Sequence, residues 1–195
     1  MEKTFKRVKP EDLDSSDLKP LKITCGSTNC EEGLHCYSRF MKKAEKKYGK
    51  QGVCYECGND SIDWDRMYQN DIKDSKFIFK SLSKEFIREV FSKMKIDQFA
   101  IENSLKKNKR ELRTEAKKLL KMRIGKLTDW DGQQTPLGKE NIINYAQHAT
   151  ATCCRKCLAS WHNIPKEQEL TETQLEFCTN LVMKFIEERV VDLGE

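Results

Sequence analysis

Residues 151–162 read ATCCRKCLASWH, so Cys153, Cys154, Cys157 and His162 crowd one short stretch, with His148 just upstream. Thiolates and imidazole nitrogens are the donors a tetrahedral zinc ion takes, and two cysteines separated by two residues form a natural clamp. Cys154 and Cys157 make such a clamp; His148 and His162 complete a Cys2His2 set, with Cys153 either replacing a ligand or facing the core. The two pairs stand closer than the roughly twelve residues of a ββα finger, so this is not that DNA-reading module. A deaminase would need His-x-Glu before the cysteine pair, but Thr150 stands two residues after His148, and no His-Glu-x-x-His occurs anywhere. A cysteine nucleophile served by His148 or His162 is the catalytic alternative, and a structural ion is the simpler account of three clustered thiols.

A second collection lies near the N-terminus. CYEC, at Cys54 and Cys57, is followed by Gly58, a knuckle in which backbone N–H groups can support the sulfurs. The remaining donors are expected from CGSTNCEEGLHC: Cys25 with Cys30, or Cys30 with Cys36, and His35 as a further candidate. Five cysteines for four positions leave one spare. An iron–sulfur cluster held by four of these five is the rival, although their spacing does not match compact ferredoxin runs. Cys178 reads as a small buried hydrophobe. A bland reading stands beside every histidine as well, since an imidazole near cysteines can simply bond to a thiolate or a carbonyl.

Two further patterns could carry chemistry. IDWD and TDWD place Asp63 and Asp65, then Asp129 and Asp131, around a tryptophan. Carboxylates two apart in a turn can share a magnesium ion, as a nuclease requires, or they can merely shape the turn. Between Glu102 and Lys126 there are ten Lys or Arg against three Glu. Lys106, Lys107, Lys109, Arg110, Arg113, Lys117, Lys118 and Lys121 are therefore candidates for phosphate contacts that would bind nucleic acid without reading sequence. A solvated helix face or an acidic protein partner would use the same residues.

The elements that must position these groups are mostly helices. SRFMKKAEKKYGK reads as a polar helix stopped by Gly49 and Gly52. From about 75 to 126 helix runs almost throughout. Phe86, Ile87, Val90, Phe91 and Met94 lie at three- and four-residue spacing, as do Ile101, Leu105, Leu112, Ala116, Leu119 and Leu120, and Asn108 is a candidate break. Residues 125–141 read as a loop. The last helix opens on a capping box, Thr171 with Gln174, and carries Leu175, Cys178, Val182 and Phe185 on one side. The expected class is mainly α, with two cysteine-rich knuckle regions and little β structure. The expected divisions are a polar tail at 1–20, the first cysteine region at 21–74, a helical region with a basic face at 75–126, and the second Cys/His cluster with its helix at 127–195.

Bulk properties narrow the class. A chain of 195 residues with 34% charged and 37% hydrophobic residues can bury a core, and it has no apolar run long enough to span a bilayer. The first 20 residues lack the apolar segment of a signal peptide. The net charge of +5 permits polyanion binding without requiring it. Nine cysteines without a secretion signal point to thiolate–metal bonds in a reducing cytoplasm instead of a disulfide scaffold.

The stretch AQHATATCCRKCLASWHNIPKEQELTETQLEFCTNLVMKFIEER, over residues 146–189, resembles a small uncharacterised bacterial family. His148, Cys153, Cys154, Cys157, Trp161, His162, Ile164, Pro165, Lys166, Leu170 and Thr171 carry the resemblance. It implies a shared site in a bacterial or phage-borne protein, and no reaction. The expected function is a zinc-stabilised, zinc finger-like protein with about two ions, binding nucleic acid or acting as an accessory protein. A metal-dependent nuclease and an iron–sulfur protein are the alternatives.

Overall fold

The computed structural model describes residues 23–127, 134–136 and 141–190. The polar tail, Asp129 and Asp131 lie outside the described residues. Helices dominate: α1 (Met41–Tyr48), α2 (Trp64–Met67), α3 (Ser75–Leu82), α4 (Phe86–Lys93), α5 (Gln98–Leu105), α6 (Lys109–Leu120), α7 (Ile142–Ala149), α8 (Arg155–His162) and α9 (Glu172–Arg189). Among the described residues there is no β-sheet, only isolated bridges between Asn29 and Leu34 and between His35 and Glu85. No described helix is long and apolar enough to cross a membrane.

The helical stretch expected over 75–126 is made of separate helices, and polar residues start two of them. Asp97 leaves helical geometry and accepts the Phe99 N–H, starting α5. Asn108 accepts from Glu111 N while Glu111 returns the bond to Asn108 N, a capping box that begins α6. Short side chains that bond their own backbone compete with helix continuation, which is why the break falls at the expected asparagine. α6 then runs on through a π-type stretch, Lys121–Gly125.

The sequence IINYAQHA supplies α7, in which all eight residues are buried. Its polar residues Asn144, Gln147 and His148 are buried with internal hydrogen-bond partners, and α7 packs against α4, α5 and α9. α9 also lies along α6. The capping box expected at Thr171 and Gln174 is present. Buried side chains from the N-terminal segment, including Leu34, Tyr37 and Ile62, join one core with those of the helices.

The segment between residues 23 and 63 holds little regular structure: one 3-10 turn, Cys30–Glu32, and α1. It is fixed by backbone bonds to the start of α4. His35 N donates to Lys84 O at 2.8 Å and Phe86 N donates to His35 O at 2.9 Å. Gly52 adopts φ +71° beneath the Trp64 indole, whose Nε1 donates to the Gly52 carbonyl at 2.8 Å. A Cβ there would fall 2.2 Å from that nitrogen, so only glycine permits the contact.

Candidate metal centres

The first centre is built from the CYEC knuckle and the turn before α1. Gly58, at φ +76°, closes the knuckle, and its N–H donates to Cys54 O at 2.8 Å. Cys30, His35, Cys54 and Cys57 each place a donor atom within 4.8 Å of all the others. The Cys30 and Cys54 sulfurs are 3.8 Å apart, and the Cys57 sulfur lies 3.4 Å from His35 Nδ1. Burial opposes ionisation of the Cys54 thiol, but N–H groups of Cys36, Cys57 and Glu56 aimed at its sulfur outweigh that and hold its pKa below the ordinary range. Cys30 is instead pushed up to about 12, by burial and then by its neighbours Cys57 and Cys54. Cys25 and Cys36 stand outside this group. The Cys36 thiol donates to the Cys25 carbonyl at 3.2 Å, and burial followed by the nearby Glu85 charge raises its pKa to about 12.

The second centre sits at the start of α8. Cys154 is the N-cap residue, Cys157 lies one turn into the helix, and Cys153 precedes both. The Cys157 sulfur is 3.3 Å from that of Cys154 and 3.6 Å from that of Cys153, and the three form a buried group within the same 4.8 Å limit. The sequence set these thiols beside His148 and His162. The structure brings the thiols together and places both imidazoles elsewhere: neither offers a nitrogen within 4.8 Å of all three sulfurs. The His148 ring stacks on Phe91 at 4.5 Å with its Nε2 3.3 Å from the Pro136 carbonyl. His162 Nε2 is 2.9 Å from the Thr150 carbonyl, and its ring meets Phe177 edge-on. Helical geometry explains His162, because five residues along α8 rotate a side chain about 140° away from Cys157. Burial, reinforced in both by the Arg88 charge, lowers each histidine to a pKa of about 4, so both are neutral near pH 7. Cys178 is fully buried on α9, where desolvation raises its pKa to about 12, as a packed hydrophobe requires.

A buried ion pair that the sequence did not reveal joins the two centres. Glu85 precedes α4 and Arg88 lies in its first turn, each only 1% exposed at the side chain. One carboxylate oxygen of Glu85 accepts from Tyr37 N (3.1 Å), Ser38 N (2.9 Å) and Ser38 Oγ (2.8 Å), all on the strap that follows His35 and Cys36. The other accepts from Arg88 Nε (3.1 Å) and Trp161 Nε1 (2.9 Å). Arg88 then spends its remaining nitrogens on the second centre. One donates to the His148 carbonyl at 2.6 Å and reaches Cys153 Sγ at 3.6 Å; the other donates to Cys157 Sγ at 2.9 Å. Burial works against its charge, but Cys157, Cys153 and Glu85 outweigh burial and hold its pKa well above the ordinary value. The one available sequence signal was position: Arg88 stands three residues before Phe91, on the side of α4 that faces inward.

Arg155 is a second hidden anchor. It donates to the Ile124 carbonyl at 2.9 Å and to the carbonyls of Pro165 and Gln168, tying the π-type stretch to the turn after α8.

The other candidate residues are placed differently. Asp63 caps α2 by accepting from Arg66 N, and it shares an open cleft with Asp65, Arg66, Gln69, Asp71 and Asp74. Asp74 pairs with Arg66, and these carboxylates do not join into a group spaced for one ion. On the basic strip, Lys109 pairs with Glu187, Arg113 and Lys117 with Glu176, and Lys117 also with Glu172, all on α9. Lys107 pairs with Glu115. Half of the cations nominated for phosphate therefore face carboxylates of the chain itself.

Fold and sites together define a mainly helical protein with two thiol-rich groups, each capable of holding a metal ion. The chain belongs to the family described as a domain of unknown function (DUF4186), which matches residues 76–187. That span extends the resemblance read at 146–189 and takes in Glu85, Arg88 and the second centre. The first centre lies entirely before it. No solved structure matches the chain.

Proposed function

We propose that the protein is a zinc protein whose first centre is structural and whose second centre, inside the family domain, is the functional one. The spacing of the donor atoms supports this reading. Four ligands about one zinc with Zn–S near 2.3 Å have sulfurs about 3.8 Å apart, and a sulfur and a nitrogen about 3.5 Å apart. At the first centre the 3.8 Å sulfur pair and the 3.4 Å sulfur–nitrogen contact match those values, and at the second the sulfur pairs are somewhat tighter, at 3.3 and 3.6 Å. A multi-iron cluster seats its thiolates on different metals and would spread them farther. Thiols this close also oppose one another's ionisation unless a cation lies among them: burial first, and then Cys57 and Cys54, push the Cys30 pKa up. None of the nine cysteines is in a disulfide, which suits a reducing cytoplasm. Elemental mass spectrometry on untagged protein purified anaerobically is expected to find about two zinc per chain and no visible absorption band. Iron with visible absorbance, or no metal, would overturn the zinc reading.

Nucleic-acid contact is the activity this reading gives to the outer side of α6. Arg110 and Lys118 on α6, Lys106 at the end of α5 and Lys121 just past α6 are exposed and face no carboxylate in the described structure. If these four meet phosphates, log K against log salt should slope at roughly −3 to −4, and the slope should shrink by about two in the K118E/K121E variant. Fluorescence anisotropy with a labelled duplex and a labelled single strand measures both. An unchanged slope in the variant, or no binding at low salt, would make the strip a solvated face.

A further inference from the structure

The two centres differ in how many donors the chain provides. The first has four: three thiols and an imidazole. The second has three, and among the described residues no other cysteine, histidine, aspartate or glutamate joins it. Zinc sites closed by four protein ligands are structural, whereas sites with three keep a position for an outside ligand. Resting on the metal reading above, we propose that the second centre is open, and that its fourth position takes a small external anion held beside Arg88.

Three observations carry this inference. The two imidazoles nearest in sequence are engaged elsewhere, His148 against Phe91 and Pro136 and His162 against Thr150 and Phe177. Neither can complete the site without leaving a packed position. Arg88 is a fixed, buried cation aimed at the sulfurs, with its far side held by Glu85 and its NH1 also anchored to the His148 carbonyl. Three thiolates around a divalent ion already carry a net negative charge, so a further anion needs a positive group at close range. Arg88 supplies that charge together with N–H donors. The third observation is shielding: Cys153, Cys154 and Cys157 are only 4–6% exposed, so charges at this centre act on one another with little screening by water.

The first centre contributes to this site from a distance. Its strap donates three hydrogen bonds to Glu85, and Glu85 orients Arg88. Glu85 is thus a positioning residue, and Arg88 is the group that would touch the ligand.

The test uses the full chain reconstituted with cobalt(II), whose visible bands report coordination, and sodium azide as the probe. Azide is expected to shift the bands of one of the two cobalts in a saturable titration. The response should disappear in Cys154→Ser, which removes one of the three donors of the second centre. Arg88→Met should weaken azide binding by at least ~10-fold, the usual scale for losing a hydrogen bond to a charged group. If Arg88→Met does not fold, Arg88→Lys, which keeps the charge but loses the fork, should weaken binding by a smaller factor. Cobalt at both centres with no azide response means that the chain itself closes the fourth position, and the proposal fails. A response that survives Cys154→Ser also overturns it. Failure of either centre to take up cobalt or zinc is a separate result and overturns the metal reading instead.

Discussion

Chelation is expected to unfold the segment from residue 23 to about residue 62 while the helices from α3 onward remain. The reason is the thinness of that segment's own structure. It contains one 3-10 turn and the eight-residue α1, whose only buried residue is Ala44. An isolated helix of that length is not stable in water. Its remaining buried apolar side chains, such as Leu34, Tyr37 and Val53, are few for the backbone they must order. A structural zinc in small modules contributes on the order of 10 kcal/mol of folding free energy, and its loss leaves nothing of comparable size here. Cys57 is exposed, so a chelator has a path to the first centre that it lacks to the buried thiols of the second. Limited proteolysis in the presence of a chelator should therefore cut first between residues 40 and 60, with only a small loss of far-ultraviolet helical signal. Cys57→Ser should reproduce the cleavage without chelator. Equal protease resistance with and without metal would show that the knuckle folds unaided.

The donor set of that segment was only half legible in the sequence. Cys54, Cys57 and Gly58 form a knuckle by local rules, because a two-residue spacing and a glycine at positive φ fix the geometry within a few residues. Which upstream donors complete it depends on how the turn at Cys30–Glu32 folds back, and spacing alone left Cys25, Cys30, Cys36 and His35 open. The resolving fact is tertiary: the bonds of His35 to Lys84 and Phe86 fix the strap against α4, with Cys36 engaged at the Cys25 carbonyl. At the second centre the sequence grouped residues by proximity along the chain, and helix rotation separated them. Thiols at 153, 154 and 157 meet around one helix start, while His148 and His162 belong to other faces of α7 and α8. The helices themselves were more legible, since caps such as Asn108 and Thr171 act locally. α7 hid within the motif because its polar side, Asn144, Gln147 and His148, is buried against internal partners such as Arg123 and Pro136 instead of facing water. The basic strip was legible as composition, but its partners on α9 lie more than 50 residues away in the chain.

Glu85→Gln is expected to cost about 3–5 kcal/mol, the range for breaking a buried ion pair by removing one partner. That is a large part of the ~5–15 kcal/mol that holds a typical domain folded. The carboxylate accepts from Tyr37 N, Ser38 N, Ser38 Oγ, Arg88 Nε and Trp161 Nε1. An amide of the same shape has one oxygen with which to accept, and it turns an NH2 group toward donors on the other side. Arg88 would remain buried and charged without its counter-ion. The double variant Glu85→Gln/Arg88→Met removes both charges, and it should be less destabilised than the sum of the two single variants by about 1–3 kcal/mol. Denaturant titration of the zinc-loaded protein gives all three values. The same substitution should reach the second centre as well: with Arg88 no longer oriented, Cys153 and Cys157 lose the donors that stabilise their thiolates. Zinc bound there should then pass more readily to a competing chelator than in the parent protein. If Glu85→Gln unfolds at the same denaturant concentration as the parent, the strap and the helical body are held together by apolar packing, and the ion pair between the centres is incidental to both.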